Sequence, residues 1–303
     1  MHANTELMTF LQAIIMGLLQ GVTELFPISS LGHSVILPQL LGWTQIVKAQ
    51  SVNKSFFLAF LVGLHVATAA ALFVYFRKDW MEIIKGILQT FVTRKIDTPV
   101  QRLGWLLVVT TIPAGIMGLL FEHLFRTLFA KPLAASIFLF INGLILVVGE
   151  RKRKQSQQKP KRLHAKSTSR MLRNGHRQLA SLEFKEAGVI GVAQVFALLA
   201  GISRSGITMA AGLVRGMDHE DSARFSFLLA TPIILAAGLY KLPSLFGSAG
   251  SGVRPQILVG AIAAFIAAYF SVSYLVRYFK TNNLYPFAIY SLVIGAVLFI
   301  HFL

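Results

Sequence analysis

One stretch near the N-terminus brings a carboxylate, a hydroxyl and an imidazole within ten residues. Glu24 precedes Pro27, and Ser30 and His33 follow it. On a helix, Ser30 and His33 share one face because they are three positions apart. A serine nucleophile, a histidine base and an orienting carboxylate can then converge for covalent catalysis. Attack by His33 itself, or by water activated through Glu24, is also compatible with these residues.

A second stretch places an arginine among hydroxyl side chains. Arg204 lies between Ser203 and Ser205, and Thr208 follows one turn later. A guanidinium binds phosphate through two parallel hydrogen bonds, and hydroxyls donate to the same kind of oxygen. Together with Ser29 in the first stretch, these residues indicate a binding site for a phosphate-like anion.

Both stretches belong to a chain with the composition of a membrane protein. Hydrophobic residues make up 55% of the 303 residues and charged residues 14%, and the mean hydropathy is +0.65. Soluble domains carry about 25% charged residues, so a soluble enzyme is disfavoured. The net charge of +17 is concentrated in one tract and at the ends of apolar segments. This distribution indicates lipid head groups, and not nucleic acid, as the partner.

Six apolar segments have the length and composition of transmembrane helices. They are residues 56–76, 103–122, 132–149, 221–241, 256–277 and 284–303. Residues 7–41 and 187–217 are also apolar, but the polar residues described above interrupt them. Each stretch is long enough for two half-helices that meet at a polar turn, which predicts two re-entrant pairs. Helices beginning after Ser30 and after Ser203 would direct two positive dipole ends at one anion.

The two interrupted stretches resemble each other. A shift of 174 positions places Gln20 on Gln194 and Ser29 on Ser203 without a gap. A broken element followed by three spans occurs twice, and three is an odd number, so the second copy must be inverted. The predicted fold is therefore an all-α polytopic membrane protein with two inverted repeats, whose site lies near the membrane midplane. The predicted first repeat, basic linker and second repeat are residues 1–149, 150–185 and 186–303.

Basic residues also orient the segments. If the N-terminus lies outside, the loops at 77–102 and 150–185 lie inside and contain most of the lysines and arginines. This agrees with the positive-inside rule. From Arg151 to Arg177 the tract has no acidic residue. We interpret it as a solvated, partly disordered cytoplasmic linker at an anionic lipid surface.

At the two polar stretches the chain resembles a known family. The segment QGVTELFPISSLGH resembles the first signature of undecaprenyl-diphosphate phosphatases, the UppP/BacA family. The segment AGISRSGIT resembles the second signature, and the order of the motifs and the six spans also match. The resemblance therefore covers nearly the whole chain.

The resemblance implies hydrolysis of undecaprenyl diphosphate to undecaprenyl phosphate and inorganic phosphate. This reaction recycles the lipid carrier of cell-wall synthesis and confers bacitracin resistance. The resemblance also implies a location in the bacterial cytoplasmic membrane, a site that faces the periplasm or cell exterior, and a divalent cation, Mg²⁺ or Ca²⁺. It assigns catalytic or phosphate-binding roles to Glu24, Ser30, His33, Ser203, Arg204 and Thr208.

Two residues depart from the family signatures. Gln20 stands at the first acidic position, so a metal site at Gln20 and Glu24 would have one carboxylate only. Ala200 stands where the second signature has proline. We interpret His65, which lies within a span, as a cavity-facing packing or hydrogen-bonding residue.

The alternative function is transport of an anionic polyprenyl lipid without hydrolysis, because inverted repeats with broken helices occur in transporters. The nucleophile, imidazole and carboxylate in one stretch favour hydrolysis, since a transporter needs only anion donors. The sequence does not specify an oligomeric state.

Overall fold

The computed structural model describes residues 7–50, 52, 55–129, 131–158, 172–173, 176–177, 179 and 182–303. The described residues are mainly helical. The helices of the first half are α1 (Phe10–Thr23), α2 (Ser30–Leu40), α3 (Thr44–Gln50), α4 (Phe56–Tyr75), α5 (Arg77–Thr93), α6 (Pro99–Phe129) and α7 (Pro132–Gln158). Those of the second half are α8 (Phe184–Val195), α9 (Arg204–Val214), α10 (His219–Phe246), α11 (Ser248–Ser251), α12 (Arg254–Tyr278) and α13 (Tyr285–Phe302). Between the halves, strands β1 (Leu172–Arg173) and β2 (His176–Arg177) pair in an antiparallel hairpin.

Six helices among the described residues are long and apolar enough to cross a membrane, namely α4, α6, α7, α10, α12 and α13. They coincide with the six predicted spans. Many of their large apolar side chains are exposed, for example Phe270 and Leu239, each at 69%. Such exposure suits lipid and not water. The chain is therefore a multi-pass membrane protein.

Four of the helices that contain spans are longer than predicted, and α6 and α7 are extended the most. α6 begins at Pro99, and α7 continues to Gln158, nine residues beyond the predicted end of that span. Residues 150–158 are Glu, Arg, Lys, Gln and Ser, most of which favour helices, so the helix continues into the basic tract. The middle of the predicted linker, residues 159–171, lies outside the described part of the chain.

Each interrupted stretch folds as two short helices that meet at a polar turn, as predicted. The Ser29 hydroxyl caps α2 by accepting from the Gly32 N–H at 3.3 Å. The Ser203 hydroxyl caps α9 by accepting from the Gly206 N–H at 3.1 Å. α9 begins where the sequence predicted, whereas α2 begins at Ser30 itself and not after it. With 14 residues, α1 is too short to cross a membrane.

The first helix of each broken pair is packed against a span from the other half of the chain. α1 packs against α12, where a methyl group added at Gly21 would lie 2.5 Å from the Ala264 carbonyl oxygen. α8 packs against α6, where a methyl group at Gly191 would lie 2.6 Å from the Thr110 carbonyl oxygen. Glycine permits this close approach of backbones within a membrane. α2 and α9 contact α7, and α9 also contacts α10.

The predicted inner loop 77–102 contains a helix that the sequence analysis missed. α5 buries Trp80 and Ile83 against the core, while Leu88 and Phe91 on another side are 60% and 66% exposed. Lysines lie on a third side, as in a helix at a membrane surface.

Candidate active site

A cavity of about 320 Å³ lies between the tips of the broken pairs and the spans α4, α6 and α10. Its walls are mostly apolar. The polar side chains that line it are Thr23, Glu24, Ser29, Ser30, His65, Gln194, Ser203, Arg204 and Lys241. Five of the nine residues predicted for the site therefore line the same cavity, namely Glu24, Ser29, Ser30, Ser203 and Arg204.

Glu24 is the centre of the polar network in this cavity. Its Oε1 accepts from Arg204 at 3.0 Å, and its Oε2 accepts from the Ser30 hydroxyl at 2.5 Å. Gln20 donates to the same Oε2 at 3.2 Å, and His65 Nε2 lies 3.6 Å from it. The carboxylate is 7% exposed, so these partners stabilise a buried charge that would otherwise be expensive at membrane depth.

Arg204 lines the cavity, and two acceptors of the protein hold its guanidinium. Besides Glu24, it donates through Nη1 to the Ser226 carbonyl oxygen at 3.2 Å. Its Nε is buried, and no described residue accepts from it. Each Nη uses one of its two hydrogens for these acceptors, so the second hydrogens of a pre-oriented guanidinium can bind an anion that enters the cavity.

A hydrogen bond from the second polar turn to Ser29 joins the two turns, and Ser29 has an unusual backbone conformation. Ser29 has a φ of +71°, unusual for a residue with a side chain. In this conformation its hydroxyl accepts from the N–H of Gly201 in the second turn at 3.1 Å. Gly201 has a φ of +113°, and a methyl group there would lie 2.3 Å from the Ala135 carbonyl oxygen. Glycine is therefore required at the point where the turns meet.

Asn142, which the sequence analysis missed, bridges both turns from α7. Its Oδ1 accepts from the Ser203 N–H at 2.9 Å, and its Nδ2 donates to the Pro27 carbonyl oxygen at 2.9 Å. Nδ2 also lies 3.2 Å from the Ser291 hydroxyl. The available signal was the presence of one amide side chain inside the span 132–149, since intramembrane polar residues are retained for a purpose.

His33 lies apart from the cavity wall. Its Nδ1 lies 2.7 Å from the Ser29 carbonyl oxygen, which can only accept, so Nδ1 carries the proton. Its Nε2 then accepts from the Tyr290 hydroxyl at 2.8 Å, and the two rings are stacked. The structure thus brings Ser30 to Glu24 and does not bring it to His33.

Ser205 and Thr208 also lie behind the wall, and both are fully buried. The Ser205 hydroxyl lies 3.0 Å from that of Ser203. The Thr208 hydroxyl donates to the Arg204 carbonyl oxygen at 2.8 Å, and lies 2.7 Å from the Ser226 hydroxyl. In this arrangement they support the residues that line the cavity, and their direct contact with phosphate stays a prediction.

The donor set for a cation is small. Among the described residues, no three His, Cys, Asp or Glu side chains come together to hold a metal ion. Next to the Glu24 carboxylate, the Oε1 of Gln20 is buried and receives no hydrogen bond from the described residues. These two oxygens fit a hard divalent cation that takes its remaining ligands from water and substrate phosphate, as Mg²⁺ usually does.

Known proteins match this chain over most of its length. The model of the family described as "Bacitracin resistance protein BacA" matches residues 13–297. "Undecaprenyl-diphosphatase 2" from Frankia alni is 52% identical, with 97% of this chain and 98% of the relative covered. "Undecaprenyl-diphosphatase" from Mycolicibacterium paratuberculosis is 50% identical, with 96% of each chain covered. "Undecaprenyl-diphosphatase 2" from Chromobacterium violaceum is 42% identical, with 96% of this chain and 98% of the relative covered. The chain therefore belongs to the family of the bacitracin resistance protein BacA.

Proposed function

We propose that the protein hydrolyses undecaprenyl diphosphate to undecaprenyl phosphate and inorganic phosphate, and so recycles a cell-wall lipid carrier and confers resistance to bacitracin. The observation that carries the proposal is the contact of Ser30 and Arg204 with one buried carboxylate, Glu24, inside a largely apolar cavity. The relatives' names support the same activity. An apolar cavity with a few convergent polar groups suits a lipid whose head group reacts.

The terminal phosphate of the head group is bound by side chains and by helix N-termini. Arg204 binds the terminal phosphate through the Nη hydrogens that Glu24 and Ser226 do not accept, beside the Ser203 hydroxyl at the N-terminus of α9. The N-termini of α2 and α9 supply further positive potential to the same phosphate. These donors are fixed before the substrate arrives, so they stabilise the charge that develops in the transition state without reorganisation.

Ser30 is the nucleophile that the geometry favours, with Glu24 in place of His33 as its base. The Ser30 Oγ attacks the terminal phosphorus, its proton passes to Glu24 Oε2 over 2.5 Å, and the bond to the bridging oxygen breaks. Undecaprenyl phosphate leaves. The proton on Glu24 passes to the departing undecaprenyl phosphate, which restores the carboxylate. Water then attacks the phosphoserine and gives a proton to Glu24, which passes it to the Ser30 Oγ as the phosphoserine bond breaks, and phosphate and the free serine are released.

Glu24 and Gln20 are the residues that would hold a divalent cation, Mg²⁺ or Ca²⁺. When bound, the cation neutralises negative charge on the diphosphate. The Glu24 carboxylate and the buried Gln20 Oε1 are suitable ligands for it.

Purified protein in detergent, supplied with undecaprenyl diphosphate, should release inorganic phosphate. We expect EDTA to lower the rate and added Mg²⁺ or Ca²⁺ to restore it. The Glu24→Gln variant serves as the inactive control. If the wild type binds the lipid and releases no phosphate under any of these conditions, the protein is a carrier of the lipid, and a flipping assay in liposomes would then identify a transporter.

We further propose that the protein lies in the bacterial cytoplasmic membrane as two inverted repeats, with the cavity open to the exterior. The crossed packing of α1 on α12 and α8 on α6 supports the repeat, because exchanging the halves interchanges these two contacts. The positive-inside distribution supports the orientation.

Cysteine labelling tests this orientation, since the chain has no cysteine. Lys241 lines the cavity near the end of α10, and Lys95 is exposed in the loop after α5. In right-side-out vesicles an impermeant thiol reagent should label Lys241→Cys and not Lys95→Cys. Inside-out vesicles should give the reverse, and labelling of Lys95→Cys from outside would contradict the proposed topology.

A further inference from the structure

Gln194 is a buried amide in the cavity wall with no partner in the described part of the chain. It lies in the last turn of α8 and is 1% exposed. Both its Nε2 and its Oε1 are buried, and no described residue forms a hydrogen bond with either. A buried amide without partners is costly, so natural cores seldom retain one without a reason.

Comparison with Gln20 explains why this amide lacks a partner. Under the shift of 174 positions, Gln194 corresponds to Gln20, whose Nε2 donates to Glu24. The position that corresponds to Glu24 is Leu198, whose side chain cannot accept a hydrogen bond. The second half thus keeps the donor and lacks the acceptor, which makes the amide available to a molecule in the cavity.

The surroundings of Gln194 indicate which part of a substrate it meets. Ala114, Ala197 and Leu198 line the cavity with it, and all are apolar. The amide has no bond to the network of Glu24 and Arg204 that would hold the terminal phosphate. A polar group bound by Gln194 would therefore be separate from the groups that Glu24 and Arg204 hold, and would lie in a largely apolar cavity.

We propose that Gln194 binds the phosphate that remains attached to the lipid, donating from Nε2 to a non-bridging oxygen. This inference rests on the proposed function and assigns the second phosphate of the same substrate. The lipid-side phosphate is a second polar group, separate from the terminal phosphate and next to the apolar prenyl chain. Because this phosphate is bound in the ground state and the transition state alike, the contact contributes mainly to KM.

Gln194→Met tests the inference, because methionine has a similar length and shape but no hydrogen-bonding amide. We expect KM for undecaprenyl diphosphate to rise about tenfold, with a much smaller change in kcat. Inhibition by undecaprenyl monophosphate, which keeps the lipid-side phosphate, should weaken by a similar factor. Inhibition by inorganic phosphate should stay unchanged. Without ligand, the variant should unfold at a higher temperature, because two unsatisfied buried atoms are removed.

Gln256→Met is the matched control. Gln256 is also buried and has an unpartnered Oε1, but its Nε2 donates to the Met8 carbonyl oxygen at 3.1 Å, and it lies outside the cavity lining. This control should unfold at a lower temperature and keep the wild-type KM and inhibition constants.

The inference fails if Gln194→Met weakens inhibition by inorganic phosphate instead, or if KM is unchanged. A lower unfolding temperature with unchanged KM would show that the amide is structural. Failure of the proposed function is a separate result, since wild-type protein would then release no phosphate. In that case binding of undecaprenyl monophosphate to wild type and Gln194→Met still tests the contact.

Discussion

Replacing Arg204 by alanine is expected to lower the rate of phosphate release by about 10³-fold or more, the range seen when a charge-stabilising arginine is removed. Arg204 contacts Glu24 at 3.0 Å and lines the cavity, so its loss removes both the partner of a carboxylate and the guanidinium that would bind phosphate. Lysine should recover only part of the rate, because it lacks the planar fork. Turnover in detergent at saturating substrate is the measurement.

Stability must be separated from chemistry in this experiment. Arg204→Ala leaves Glu24 buried without its cation, which is expected to destabilise the fold by about 3–5 kcal/mol. The double variant Arg204→Ala with Glu24→Gln removes that unpaired charge, so its thermal unfolding should return toward wild type while activity stays lost. An Arg204→Ala protein with near wild-type turnover would contradict the proposal that Arg204 binds the terminal phosphate.

A covalent phosphoserine at Ser30 is the second expected result. Ser30→Ala should lower turnover by about 10⁴-fold or more, as the loss of a nucleophile does in hydrolases that form covalent intermediates. Glu24→Gln should also prevent formation of the adduct, because the proton acceptor 2.5 Å from the Ser30 hydroxyl is removed. His33→Ala should have a smaller effect, since the His33 ring bonds Ser29 and Tyr290 and lies outside the cavity lining.

Single-turnover trapping with terminally labelled substrate distinguishes the possible nucleophiles. Phosphoserine survives acid quenching, whereas phosphohistidine is lost in acid and survives base. We expect an acid-stable adduct that Ser30→Ala abolishes. An acid-labile adduct on His33 would make the imidazole the nucleophile. If neither wild type nor slowed variants form an adduct, water attacks directly with Glu24 as its base.

The spans and the broken helices were predictable because lipid imposes a simple rule on sequence. An uninterrupted apolar segment of about 20 residues crosses the membrane, and a polar residue within one is retained for a reason. Glu24 and Arg204 stood out on that basis, and the structure pairs them. α5 is amphipathic but carries several charged residues, so it does not form the uninterrupted apolar segment by which the spans were recognised, and its charges placed it in a loop.

Contacts within the site were less predictable, because a motif gives spacing but not the direction of each side chain. Ser30 and His33 share helical spacing, yet the turn at Ser29 directs the hydroxyl to Glu24 and leaves the ring beside Tyr290. Thr208 belongs to the same motif as Arg204, but its hydroxyl bonds the Arg204 carbonyl oxygen and contacts the Ser226 hydroxyl, and it does not line the cavity. Such directions depend on partners that are distant in sequence.

The packing of α1 on α12 has a consequence for biosynthesis. α1 ends at Thr23 and α12 begins at Arg254, about 230 residues later. At a synthesis rate of about 5–20 residues per second, α1 leaves the ribosome roughly 10–50 s before its partner. During that interval a helix too short to cross the bilayer has only its contacts with α2 and α4, so its packing on α12 and the pairing of Glu24 with Arg204 are completed late in synthesis.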